Sequence, residues 1–181
     1  MRGLMLLANG FEDVEALATR DVLIRGGLEI VTASINDEIS VMSSHKVLVK
    51  ADILFDKANL DDFSFIVLPG GGLGTRNLRA KPEVREAARY FANKGLVTAA
   101  ICAAPTVLGD AGLLHNKKYT CYPGCNDGVD GLYTGNEVEV VGNIITARSM
   151  NYSVLFGLTI LEKLTSKENA LRIKNQIEGR E

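Results

Sequence analysis

Val97-Thr98-Ala99-Ala100-Ile101-Cys102-Ala103-Ala104-Pro105 reads as a short buried strand that runs into a turn of small residues, with a cysteine at the bend. A short helix follows and fades at 108–114. Working outward, the same alternation of strand and helix repeats. Residues 63–72 form a buried strand ending in a glycine loop, and 81–95 form a helix with proline near its start. Residues 3–8 are a continuous apolar run, as expected of a strand covered on both faces. Residues 11–27 then place Val14, Leu17, Ala18, Val22 and Leu23 on one helical stripe, closed by Gly26-Gly27. Residues 28–34 are a further strand, and 40–52 alternate as a hairpin or exposed ribbon. Residues 116–136 are mostly loop, 137–149 are two strands around a Gly-Asn turn, and two helices close the chain. The pattern implies an α/β fold, with a mostly parallel sheet and helices on both faces. No internal repeat or linker divides it, so 1–181 is expected to be one domain.

The composition is that of an ordinary globular protein: 46% apolar residues, 23% charged, 20 basic against 22 acidic. A net charge of −2 gives no electrostatic reason to expect nucleic acid or an anionic membrane as partner. No stretch is long and apolar enough to span a bilayer, and the first residues read as a strand instead of a leader. Three cysteines make no disulfide framework, which suits a reducing, cytoplasmic setting and leaves at least one free thiol.

In an open α/β sheet, ligands gather at the carboxyl ends of the strands. Three loops follow buried strands directly: 9–15, 69–72 and 101–103. At a strand-to-helix bend, Cys102 has the design of a nucleophile elbow, and a helix start favours its thiolate. Burial as a core thiol is the competing reading, because free cysteine is among the most buried residue types. The Pro69-Gly70-Gly71-Gly72 loop has the wrong register for a dinucleotide fingerprint and lacks a P-loop ending. It can bring backbone amides close to a ligand, as an oxyanion pocket needs, or it can be a bare turn. Glu12 and Asp13 are explained by the helix macrodipole, roughly 0.3–1 kcal/mol each. Glu15, bracketed by Val14, Ala16 and Leu17, is placed to turn toward the sheet edge. Buried beside a thiol, it would have a raised pKa and could carry a proton for the sulfur.

Taken together, LANGFEDVEA, RGGLEIVTAS, FIVLPGGGLGTRNL, GLVTAAICAAPTVL and YTCYPG resemble the ThiJ/PfpI superfamily along nearly the whole chain, in the branch that contains protein deglycase. The resemblance implies a flavodoxin-like three-layer sandwich that forms a homodimer. It puts Cys102 at the reactive cysteine and Glu15 at its partner acid, with Gly71, Gly72 and Ala103 around the oxyanion pocket. It also implies a cofactor-free, metal-free site acting on a small aldehyde or dicarbonyl. Two positions depart from the pattern. Ala103 follows the cysteine where the peptidase branch has histidine, which argues against peptidase activity. Tyr122 stands where the deglycase branch often has histidine before proline. Only His45 and His115 exist, so a Cys-His-acid triad within one subunit is not expected. His115 reads as a solvated surface residue. His45 falls where relatives have an arginine near the dimer interface, and it is expected to approach the other subunit's Cys102. Cys121 and Cys125 are read as structural or incidental thiols, with a disulfide left open. Two functions share this site: a glyoxalase- or deglycase-type hydrolase, and a non-enzymatic oxidative-stress sensor or chaperone acting through oxidation of Cys102.

Overall fold

The computed structural model describes residues 1–180. A seven-stranded sheet forms the middle layer, in the order β10-β11-β7-β6-β1-β2-β5. Its strands are β1 (Arg2–Leu7), β2 (Glu29–Ser34), β5 (Ile53–Leu54), β6 (Phe65–Leu68), β7 (Val97–Ile101), β10 (Val138–Val141) and β11 (Ile144–Ala147). All neighbours pair parallel except β10 with β11, which turn back through Gly142-Asn143. β3 (Ser40–Met42) and β4 (Leu48–Lys50) form the separate antiparallel ribbon expected at 40–52. β8 (Lys118–Tyr119) and β9 (Leu132–Tyr133) are short strands inside the long loop.

Alternation along β1 explains why both faces are covered. Leu4 and Leu6 join one buried cluster with Leu78, Phe91 and Leu108, which belong to α2 (Gly72–Ala80), α3 (Pro82–Asn93) and α4 (Pro105–Asp110). Met5 and Leu7 join the other with Leu23, Phe156 and Ile173, from α1 (Asp13–Arg25), α5 (Ser153–Leu164) and α6 (Lys167–Glu178). The result is the flavodoxin-like sandwich, and β7, β6 and β1 lie side by side, so the three loops meet at one edge.

Two local readings need correction. The sequence stripe on α1 is rotated: Val14 and Leu17 are exposed, while Glu15, Ala16, Thr19, Val22 and Leu23 are buried. Hydrophobicity alone misplaces the face because a carboxyl group, which counts as polar, is turned inward. The glycine loop is also shorter than its glycines suggest. Gly72 already begins α2, a helix with glycine at its first and third positions that tertiary packing imposes.

α1 is held against α5 at very short range. A Cβ on Gly157 would lie 2.9 Å from Val22 Cβ, and Thr19 Oγ1 donates to the Ser153 carbonyl. Gly157→Leu is therefore expected to lower stability by about 2 kcal/mol through overpacking, read as a shift of the urea midpoint. Gly157→Ala, which meets the same Val22 Cβ at under 3 Å but adds less bulk, is expected to shift it less.

Candidate active site

Cys102 sits just after β7 with φ +64°, in the left-handed region that non-glycine residues rarely occupy. The bend is pinned on both sides: the Cys102 amide donates to the Ala147 carbonyl at 2.9 Å, and its carbonyl accepts from the Tyr122 amide at 2.8 Å. The side chain is half-buried, and backbone amides of Ala103 and Gly71 are directed at its sulfur.

Gly71 reaches that position because it has no side chain. Its φ is +97°, and a Cβ there would stand 2.4 Å from the Gly10 carbonyl oxygen and 2.7 Å from the Glu12 nitrogen. Gly70 is equally constrained, since its Cβ would meet a Glu15 carboxyl oxygen at 2.6 Å and Cys102 Cβ at 2.9 Å. The Gly70 amide donates to Glu15 Oε2 at 2.9 Å, and its carbonyl accepts from the Glu12 amide at 3.0 Å. Glu12 caps α1 by accepting the Glu15 amide at 2.7 Å. Glu15 is completely buried beside the Cys102 thiol, and its Oε1 has no other partner.

The electrostatics follow from this burial. Removal from water pushes the Glu15 carboxyl up to about 7. The thiol contact and the Gly70 amide work against that rise, and the Glu12 charge adds to it. Burial also pushes the Cys102 thiol up, with the Glu15 charge and hydrogen bond acting in the same direction, while the Ala103 and Gly71 amides oppose it. The expected help from a helix start is small, because α4 begins three residues later and spans only six. Two donated amides take its place.

The remaining candidates occupy different positions. Gly72 opens α2 and is exposed; the amides facing the sulfur are those of Gly71 and Ala103. Tyr122 braces the bend through its amide and leaves half its surface exposed. His45 Nδ1 bonds Asp13 at 2.7 Å, and His115 Nδ1 bonds Asp130 at 2.8 Å. All three cysteines are free thiols, Cys121 buried and Cys125 half-buried. Ligand atoms of Glu12, Asp13 and His45 lie within 4.8 Å of one another. Hydrogen bonding accounts for that cluster: Asp13 ties Ser43, Ser44 and His45 of the ribbon to the start of α1, which holds its carboxyl at about 2 despite partial burial. Asp13 therefore does more than serve the macrodipole, a role its sequence position did not signal. Gly70, the residue that anchors Glu15, was also hidden in sequence among its identical neighbours. A cavity of about 370 Å³ lined by Phe55, Leu60, Ala87 and Tyr90 contains none of these residues.

The DJ-1/PfpI family profile matches residues 1–163. This chain belongs to that family. The Parkinson disease protein 7 homolog of Danio rerio is 35% identical over 179 residues, covering 96% of this chain and 94% of that protein. A deglycase of Pyrococcus horikoshii is 37% identical over 153 residues, covering 82% and 90%. Protein DJ-1 homolog B of Arabidopsis thaliana is 34% identical over 172 residues, but this chain spans only 39% of its length. Among solved structures, DJ-1beta of Drosophila melanogaster superposes with TM-score 0.93 at 32% identity over 97% of this chain and 96% of that one. An oxidised DJ-1 of Toxoplasma gondii gives 0.92 at 32%, covering 97% of each chain. Among the described residues, no helix is long and apolar enough to cross a membrane.

The raised Glu15 pKa has a consequence for stability. A carboxyl with a folded pKa above its unfolded value stabilises the fold fully at pH below about 4.5, and that contribution is lost as pH rises through about 7. The difference amounts to about 3 kcal/mol at most. Urea midpoints of the wild type are expected to fall between pH 4.5 and 8, and Glu15→Gln is expected to flatten that slope.

Proposed function

We propose that this protein is a cysteine-dependent, cofactor-free hydrolase of small dicarbonyls or early glycation adducts, with Cys102 as nucleophile and Glu15 as proton shuttle. The observation that carries this reading is the half-buried sulfur at the strained bend, set between one buried carboxyl and two backbone amides. Glu15 in its protonated form no longer opposes a thiolate and has an O–H to donate toward it. The thiolate adds to the aldehyde carbon of methylglyoxal, and the carbonyl π pair becomes an oxyanion on the carbon now bonded to sulfur. The amides of Gly71 and Ala103 can follow the charge to that oxygen. Proton transfer from the former aldehyde carbon to the neighbouring carbonyl carbon, through Glu15, gives a thioester of lactate. Water then releases lactate and restores the thiol. The deglycase name of the Pyrococcus relative supports the reaction class.

A specific observation also favours a second reading. Within the chain both histidine Nδ1 atoms pair with carboxylates, and Glu15 is the ionisable group that acts on the sulfur. The same carboxyl could instead hydrogen-bond an oxidised sulfur, and a neighbouring structure is that of an oxidised DJ-1. Glutathione-free lactate formation from methylglyoxal is expected in the wild type and absent in Cys102→Ser. Equal activity in the two proteins would reject the enzymatic reading. Intact mass after mild peroxide tests the sensor reading, which requires addition of oxygen at Cys102 that changes in Glu15→Leu.

We further propose that the protein acts as a homodimer through the exposed face of α1 and the β3–β4 ribbon. Val14, Leu17, Met42, Val47 and Leu48 are all exposed apolar side chains. The bonds from Asp13 to Ser43 and Ser44, with the Phe11–Ser43 bridge, hold the ribbon beside α1. His45 lies at the tip of that ribbon. A pair of such patches is self-complementary, as a two-fold interface requires. Leu17→Lys combined with Leu48→Glu is expected to convert dimer to monomer in light scattering; an unchanged mass would place any contact elsewhere.

A further inference from the structure

The cavity of about 370 Å³ is formed by α3 and the two single turns that follow β5, Phe55–Lys57 and Leu60–Asp62. Its size is within the roughly 300–1,000 Å³ of small-molecule clefts. Phe55, Ala58, Leu60, Ala87 and Tyr90 make much of the lining apolar, and Asp56, Glu83 and Glu86 add exposed acids to it. A second space of about 290 Å³ adjoins it, sharing Asp56 and Lys81 and adding Asp37.

The phase of α3 leaves these acids without cations. Glu83, Glu86, Ala87 and Tyr90 recur at helical spacing along the cavity, while Val84, Ala88 and Phe91 are buried in the core. The arginines of α3 stand on a third face. Arg85 donates to the Arg79 carbonyl and Arg89 Nε to the Ala111 carbonyl at 2.9 Å, and neither acceptor borders the cavity. Lys94, beside Tyr90, is matched by Asp61 at 2.7 Å. Lys81 is the cation on the lining, and its ammonium donates to the Ile35 carbonyl. Among the ion pairs of the described residues, Asp56 meets the exposed Lys57 at 3.3 Å, a contact of little strength, and Glu83 and Glu86 have none. The helix start accounts for Glu83, in the first turn of α3, but not for Glu86.

The cleft therefore carries excess negative charge beside an apolar surface. A single metal ion does not answer it. Among the described residues, the three-ligand group close enough for a metal is Glu12, Asp13 and His45, which lies elsewhere. Carboxylates spread along a cleft call for a cation that is spread as well.

We propose that this cleft binds a linear aliphatic polyamine, with one ammonium at Glu83 and Glu86, another at Asp56, and the methylenes over Phe55, Ala58 and Tyr90. Glu83 and Glu86 are three apart on one helix, near enough to share an ammonium. No bond is made or broken, and the site is independent of Cys102.

Calorimetric titration of the full chain with spermidine, at about 0.15 M salt, tests this. Saturable binding at one site is expected, with octylamine, which has a single ammonium on a similar chain, bound about tenfold more weakly. Glu83→Gln combined with Glu86→Gln is expected to weaken spermidine about tenfold, and Asp56→Asn, on the facing segment, to weaken it as well. Glu162→Gln combined with Glu168→Gln removes the same charge on the other side of the sheet and is expected to change nothing. Urea midpoints check that each variant is folded. Absence of saturable binding, equal affinity for octylamine, equal weakening by the distant pair, or displacement of spermidine by Mg²⁺ at constant ionic strength would overturn the proposal.

Discussion

A carboxyl group with no exposure to water, lying against a thiol, is the constraint around which this molecule is arranged. Glu15 could be buried only if something inside the protein answered its oxygens. The Gly70 amide answers one and the Cys102 thiol meets the group from the other side. Each surrounding feature serves that placement. Glu12 caps the helix so that its first turn starts in the right phase, and Gly157 lets α5 press α1 against the sheet. Gly70 and Gly71 bring main chain where any side chain would collide.

The same arrangement determines how the site divides one proton between two groups. Each negative charge makes the other harder to form, so the pair behaves as a unit and not as two independent acids. Burial raises both, the amides of Ala103 and Gly71 favour charge on sulfur, and the Gly70 amide favours charge on the carboxyl. A carboxyl near 7 can lend and recover a proton at neutral pH, which an exposed glutamate cannot do efficiently. Strain at Cys102 has a related origin. The left-handed bend lifts the sulfur off the strand line, and hydrogen bonds to Ala147 and Tyr122 keep it there.

The sheet was legible because burial on both faces leaves unbroken apolar strands, and its parallel order followed from their alternation with helices. The ribbon, the Gly142-Asn143 turn and the two last helices were legible for similar local reasons. α2 was not, because its glycines argue against a helix and only packing against Gly10, Phe11 and the rest of the core maintains it. The exposed side of α1 was misread because Val14 and Leu17 look like core, yet they face outward next to the ribbon.

Cys102 at a strand end, a glycine loop and an acid among apolar neighbours were written in the chain itself, because elbow, close approach and a misplaced charge each leave a residue-type signature. What only the folded molecule could decide was which oxygen meets which amide, and that His45 Nδ1 pairs with Asp13. Those are relations between residues distant in sequence or set by side-chain direction. They depend on adjacent strands β1, β6 and β7 delivering their loops to one edge, a distance that no local pattern of residues encodes.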